Sequence, residues 1–223
     1  MSLKLPFDKI YCLHLAEAKE RYDSVLEECE KINLENEIDF WYTTKKPINA
    51  TIGNNTPSLH TPYYDRIFDN NKYLYGACFD CAYNHYSIVK QAYIRGFNSI
   101  LIFEDDIEFN DDIDLLNTII ENIPNDYDVI KFINTEIYHK KFQSKHIGYF
   151  RLINEKNNFL YSTLCYALSR KGMKVLIDEY ESNFTCADIV LDNIRANDDI
   201  KFYSLKLNMF CNPKSKFEST INN

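Results

Sequence analysis

Apolar and polar positions change period in a regular order along the chain. Lys9 to Leu15 is a short, nearly continuous apolar run, as expected of a buried strand. From Glu17 to Ile32 the apolar and aromatic groups fall at Tyr22, Val25, Leu26, Cys29 and Ile32, which is helical spacing. Ile38 to Tyr42, rich in β-branched and aromatic residues, reads as a second strand. Strand, helix, strand at this spacing is the start of a βαβ unit and predicts a parallel sheet. Thr43 to Tyr75 carries Pro47, Gly53, Pro57, Pro62 and several Asn, and predicts a long irregular segment. Gly76 to Arg95 has one stripe at three- and four-residue steps: Cys78, Cys81, Ala82, His85, Ile88, Val89 and Ala92. It predicts a helix stopped by Gly96, with His85 on the buried face as a satisfied core histidine.

A second half follows. Ser99 to Phe109 begins with four apolar residues, Ile100 to Phe103, and runs into Glu104, Asp105 and Asp106. Asp111 to Asn122 reads as a short helix with an acidic first turn, ended before Pro124. Asp128 to Ile133 predicts a strand, and the mixed aromatic and basic segment 136–152 a hairpin or a flap over a site. Leu160 to Leu168 predicts a strand and Ser169 the cap of a helix from Arg170 to Tyr180. A helix over Asp188–Ala196 and a strand over Lys201–Phe210 complete the pattern. No repeat, low-complexity tract or linker interrupts it, so one α/β domain over residues 1–223 is expected, with a mostly parallel central sheet flanked by helices.

Composition narrows the function. A net charge of −8 disfavours bulk binding to nucleic acid or anionic lipid. The seven Cys are scattered and odd in number, so they do not read as a disulfide framework. Cys78 and Cys81 have no second pair at zinc-site spacing and read as small apolar residues one helical turn apart. Residues 1–20 lack the long apolar segment of a signal peptide, and no run reaches transmembrane length. A reducing, cytoplasmic setting is expected, and a homodimer is compatible with it.

The chemistry concentrates at Glu104-Asp105-Asp106. Three acids at the carboxyl end of a buried strand repel one another, and a divalent cation with a taste for hard oxygen ligands would offset that. Ligands of open α/β sheets sit at that end of the strands. Alternation puts Glu104 and Asp106 on one face and Asp105 on the other. The competing reading is a strand-end acid run that is merely solvated or caps the next helix. Thr43, Thr44, Lys45 and Lys46 leave the second strand at its carboxyl end, where they could face a ligand or form a solvated turn.

The stretch Gly76-Ala-Cys-Phe-Asp-Cys-Ala-Tyr-Asn-His85, followed by Ser99-Ile-Leu-Ile-Phe-Glu-Asp-Asp106, resembles glycosyltransferase family 25. That family includes bacterial lipooligosaccharide galactosyltransferases and collagen hydroxylysine galactosyltransferases. Cys81 and His85 match its helix motif, while Asn84 stands where the family usually has Ser. Leu15 and Arg21 match its opening strand, with His14 in place of Asn. Ser169, Arg170, Gly172 and Leu176 match a later segment, and Ala187-Asp188 is similar to the family's Pro-Val-Asp.

The resemblance implies a GT-A fold and transfer of a hexose, galactose or glucose, from a UDP-sugar with inversion. The acceptor would be a hydroxyl on a glycan, a lipid-linked sugar or a glycoprotein, as in lipopolysaccharide biosynthesis. It implies manganese or magnesium held by Asp106 and Glu104. It places the donor among His14, Leu15, Arg21, Thr43, Thr44, Lys45, His85, Glu104 and Asp105. Inversion in one step needs a base. Asp188 matches the family's Asp, and Asp192, one helical turn on, is the alternative. A non-catalytic nucleotide-sugar or glycan-binding module derived from the same fold is the second reading. A nucleotidyltransferase would want a Gly-rich loop near the first strand, and residues 9–21 contain no Gly.

Overall fold

The opening strand, helix, strand forms as the spacing predicts. β1 (Lys9–Leu15) lies parallel to β2 (Ile38–Thr43), with α1 (Lys19–Lys31) between them in sequence. The structure is a computed structural model that describes residues 3–43, 72–133, 145–153, 162–214 and 217. Thr44, Lys45, Lys46, most of the 43–75 segment and the stretches 134–144 and 154–161 lie outside the described residues.

The long helix α2 (Lys72–Ile94) starts before the predicted Gly76 and leads through Gly96 into β3 (Ser99–Glu104). Gly96 has φ +85, a left-handed turn that suits Gly. β3 ends at Glu104, so the acid run stands at the carboxyl end of the strand as predicted. The chain turns at Asp105 and Asp106 and resumes as β4 (Ile107–Phe109). Then come α3 (Ile113–Glu121), β5 (Val129–Lys131), β6 (Lys145–Ile147), β7 (Phe150–Leu152), β8 (Cys165–Ser169), α4 (Arg170–Ser182), α5 (Ala187–Arg195), β9 (Phe202–Leu205) and β10 (Cys211–Pro213). Of the 136–152 segment, the described part is the antiparallel β6–β7 hairpin.

The main sheet has eight strands in the order β2-β1-β3-β8-β5-β9-β7-β6. β1 pairs parallel with both β2 and β3, and β5 pairs parallel with β9, while β8 and β7 run antiparallel to their neighbours. Six of the eight strands therefore point one way. β3 is not flanked by parallel strands on both sides, because β8 enters beside it antiparallel. Among the described residues, β4 and β10 form a separate two-stranded sheet.

Alternation along the strands feeds two cores. Cys12, Leu101, Phe103 and Ile130 pack with Val25 and Cys29 of α1 and Leu116 and Ile119 of α3. Tyr11, Ile100, Ile102 and Tyr166 pack on the other face with α2, α4 and α5, through residues such as Val89, Leu176 and Val190. Burying each large apolar side chain of β3 contributes roughly 1.5–3 kcal/mol. That burial holds the carboxyl end of β3 in place.

Asp128 and Ser169 lock α4 onto the sheet. The Ser169 hydroxyl accepts the Gly172 N–H at 3.1 Å and bonds Asp128 Oδ1 at 3.1 Å. The Asp128 carbonyl accepts the Ser169 N–H at 3.0 Å. A Cβ on Gly172 would come within 2.0 Å of that same carbonyl oxygen, so only Gly fits there.

Candidate active site

β1, β3 and β5 all point the same way, so their carboxyl ends share one edge of the sheet. Leu13 is paired with Glu104 there. This edge collects His14, Leu15, Glu104, Asp105, Asp106 and Lys131.

The three acids have three environments. Asp105 is 5% exposed, and both its oxygens are engaged. Oδ2 meets His14 Nδ1 at 2.7 Å and accepts the Leu15 N–H at 3.2 Å, while Oδ1 accepts Arg21 Nη1 at 2.9 Å. Asp105 thus ties the end of β1 and the first turn of α1 to the end of β3. His14 is itself walled by Tyr22, Phe40 and Tyr42. The Thr43 hydroxyl donates to the His14 carbonyl at 3.3 Å.

Glu104 turns the other way. Its Oε1 accepts the Thr163 hydroxyl at 2.6 Å and lies 3.5 Å from His85 Nε2. Burial works to raise the Glu104 carboxyl, but His85 and Thr163, with Arg21 farther off, outweigh it and hold it below the ordinary range.

Asp106 sits between them. Oδ2 is 3.4 Å from Arg21 Nη1, a long contact, and Oδ1 is buried with no hydrogen-bond partner among the described residues. Burial first, then repulsion from Glu104, pushes its carboxyl up to about 7, with Arg21 pulling the other way. The Asp106 carbonyl accepts the Lys214 N–H at 2.6 Å, and Phe217 lies over the Arg21 guanidinium at 5.2 Å. The C-terminal segment therefore passes beside the acids.

The second group lies at the start of α5. Asp188 is half-buried and its Oδ1 accepts the Ile189 N–H at 2.9 Å. Burial raises its carboxyl; Ile189 and Lys131 oppose this. Asp192 is buried, and both its oxygens are held by Arg195 at 2.9 and 3.0 Å. Of the two candidate bases, Asp188 is the one whose carboxylate is not clamped in a two-pronged ion pair. Lys131, at the end of β5, is 1% exposed, and burial drops its ammonium to about 7 despite the charges of Asp192 and Asp188.

His85 is fully buried, as its helical stripe predicts, and its Nε2 faces Glu104 Oε1 at ion-pair distance, 3.5 Å. Nδ1 bonds the Tyr166 hydroxyl at 2.9 Å, whereas Nε2 has no hydrogen-bond partner among the described residues. Thr44 and Lys45 lie outside the described residues, so the structure brings together His14, Leu15, Arg21, Thr43, His85, Glu104, Asp105 and Asp106 of the expected donor and metal set.

Residues 7–191 match the family described as Glycosyltransferase family 25 (LPS biosynthesis protein). The chain belongs to glycosyltransferase family 25. As a glycosyltransferase it needs a sugar donor and an acceptor. No curated protein sequence matches the chain. Among solved structures it is similar to A197 from STIV, at 10% identity over 95% of this chain and 87% of that one, with a TM-score of 0.45. It is similar to a glycosyltransferase involved in the glycosylation of the major capsid of PBCV-1, at 12% identity over 85% and 68%, with a TM-score of 0.33. It is also similar to the mannose-1-phosphate geranyltransferase from Thermus thermophilus, at 10% identity over 91% and 75%, with a TM-score of 0.40. No helix among the described residues is long and apolar enough to cross a membrane.

Three residues of this candidate site stand outside the expected set. Thr163 and Tyr166 reach the acids and His85 from β8 and the turn before it, a long-range pairing that no local pattern announces. Lys131 does carry a signal: it is a lone charge inside the apolar run Val129 to Ile133.

Proposed function

We propose that this chain is a divalent-metal-dependent, inverting hexosyltransferase. It moves galactose or glucose from a UDP-sugar to a hydroxyl of a glycan, a lipid-linked sugar or a glycoprotein. The observation that carries the reading is Asp106 Oδ1, a buried carboxylate oxygen with no hydrogen-bond partner among the described residues, at the carboxyl end of β3. An oxygen of that kind fits a hard cation, and Glu104 adds negative charge beside it. Asp106 would hold the ion. Manganese or magnesium held there would supply positive charge to offset that of the diphosphate and of the departing UDP.

The chain's own residues do the rest. Arg21, 2.9 Å from Asp105 and 3.4 Å from Asp106, holds the two carboxylates in register and keeps a positive charge at the edge. Two unit charges about 4 Å apart are worth about 4 kcal/mol at an effective dielectric of about 20, enough to matter for an anionic donor. Asp105 fixes the β1–α1 turn and thereby the wall against which a nucleotide would rest. Asp188, with a carboxyl raised by burial, takes the proton of the acceptor hydroxyl as that oxygen attacks the anomeric carbon. The bond from that carbon to the diphosphate oxygen breaks in the same step.

A thermal-shift screen of UDP-, GDP- and CMP-sugars with and without manganese tests the reading. UDP-galactose or UDP-glucose is expected to raise Tm in the presence of manganese and not in its absence. An equal shift without metal, or a preference for a GDP- or CMP-sugar, overturns it.

A further inference from the structure

We propose that Cys81, His85 and Glu104 form a second metal site, suited to a borderline-soft divalent cation such as zinc and separate from the hard-cation position at Asp106. Cys81 and His85 stand four residues apart on α2, hence on one face, and that face meets the carboxyl end of β3. One donor atom from each of the three side chains lies within 4.8 Å of the others.

The feature that points to a ligand is His85. It is 0% exposed, its Nε2 has no hydrogen-bond partner among the described residues, and that nitrogen lies 3.5 Å from Glu104 Oε1. That nitrogen faces a carboxylate oxygen yet makes no hydrogen bond to it, which leaves it under-satisfied where it is buried. A metal between the two would satisfy both. Around tetrahedral zinc, imidazole nitrogen and carboxylate oxygen sit about 3.4 Å apart, so the observed spacing needs almost no adjustment. Cys81 has to close by about 1.3 Å at most.

The surroundings of the three groups are those of a metal shell. Tyr166 holds His85 Nδ1 at 2.9 Å, which fixes the ring and leaves Nε2 as the ligand atom. Thr163 orients the Glu104 carboxylate at 2.6 Å in the same manner. Thiolate and imidazole together select zinc over magnesium or manganese. Three protein ligands leave the fourth position to water. Metal at this point clamps α2 to the end of β3 and fixes Glu104, which neighbours Asp106. The proposal does not depend on the donor or the reaction.

The test uses the full chain, reduced and stripped with a chelator, then titrated with zinc against a chromophoric competitor and, separately, with cobalt(II). We expect one zinc per chain and a cobalt spectrum with a thiolate charge-transfer band and tetrahedral d–d absorption. Cys81→Ser should abolish the band and weaken zinc at least about tenfold. Asp106→Asn should keep both the stoichiometry and the band. A wild-type cobalt complex without the thiolate band overturns the site and needs no variant to fold. So does zinc binding that survives Cys81→Ser unchanged, or zinc binding lost in Asp106→Asn.

Discussion

Asp105 and Asp106 are adjacent in sequence and differ in almost every physical respect. Asp105 accepts from His14, Leu15 and Arg21, so its charge is compensated where it is buried. Asp106 has one long contact to Arg21 and one buried oxygen with no hydrogen-bond partner among the described residues. Removing one partner from a buried ion pair typically costs about 3–5 kcal/mol. Asp105→Ala should therefore lower unfolding free energy by about that much, because His14 and Arg21 lose their shared acceptor. Asp106→Asn removes a buried carboxyl whose charged form is disfavoured there, and should leave stability unchanged or raise it. Urea unfolding of the two variants checks the contrast, and an Asp106→Asn loss as large as that of Asp105→Ala contradicts it. Local pattern could single out the acid run, and alternation separates Asp105 from Glu104. It could not assign Asp105 its task, since the partners lie 84 to 91 positions away and meet it only in the fold.

At the scale of elements, local chemistry was readable where a helix or cap decided the matter. The stripe of Cys81, Ala82, His85, Ile88, Val89 and Ala92 became the buried face of α2, and Ser169 caps α4 through the Gly172 N–H. Pairing was less readable. The antiparallel entry of β8 beside β3, and the β4–β10 ribbon, depend on contacts far apart in sequence. The ribbon is secured by Glu28, a buried carboxylate of α1 that accepts the Phe109 N–H at 3.1 Å and Lys214 Nζ at 2.8 Å. No spacing in the sequence foretells that arrangement. Gly172 gives the sharpest test at this scale. Its first-turn position presses on the Asp128 carbonyl, and a backbone atom cannot swing aside as a side chain can. Gly172→Ala should cost about 1–3 kcal/mol by forcing α4 off the sheet, although Ala is the better helix former. Denaturant melts would show it, and a stabilised Gly172→Ala protein would contradict the packing described for α4.

Across the whole molecule, the carboxyl edge of the sheet mixes acids with one deeply buried lysine. Lys131 ionises near 7 in the fold against an ordinary value of 10.5. Below about 7 it is charged in both states, and the burial penalty acts in full. Between about 7 and 10.5 the unfolded chain still holds the proton that the folded one has released, so stability contributed through this group rises with pH. Wild type should therefore gain on Lys131→Met by up to about 1.4 kcal/mol per pH unit across that window. The buried thiols, pushed up by burial, pull the other way at high pH, but they do so in both proteins and cancel in the difference. Urea unfolding of both proteins across the window checks this. A difference that does not change with pH would contradict the burial of this ammonium.

Asp188 lies close enough to Lys131 and Glu104 to feel their charges; in the proposed reaction Asp106 is the metal anchor and Asp188 the base. The most direct test is release of UDP from UDP-galactose and UDP-glucose, with and without manganese, by wild type, Asp106→Asn and Asp188→Asn. Wild type should turn over only with metal. Asp106→Asn should lose at least about a hundredfold by failing to engage the diphosphate, and Asp188→Asn about 10²- to 10⁴-fold in kcat with donor binding retained. Metal-independent turnover, or a folded Asp106→Asn protein as active as wild type, would contradict the account.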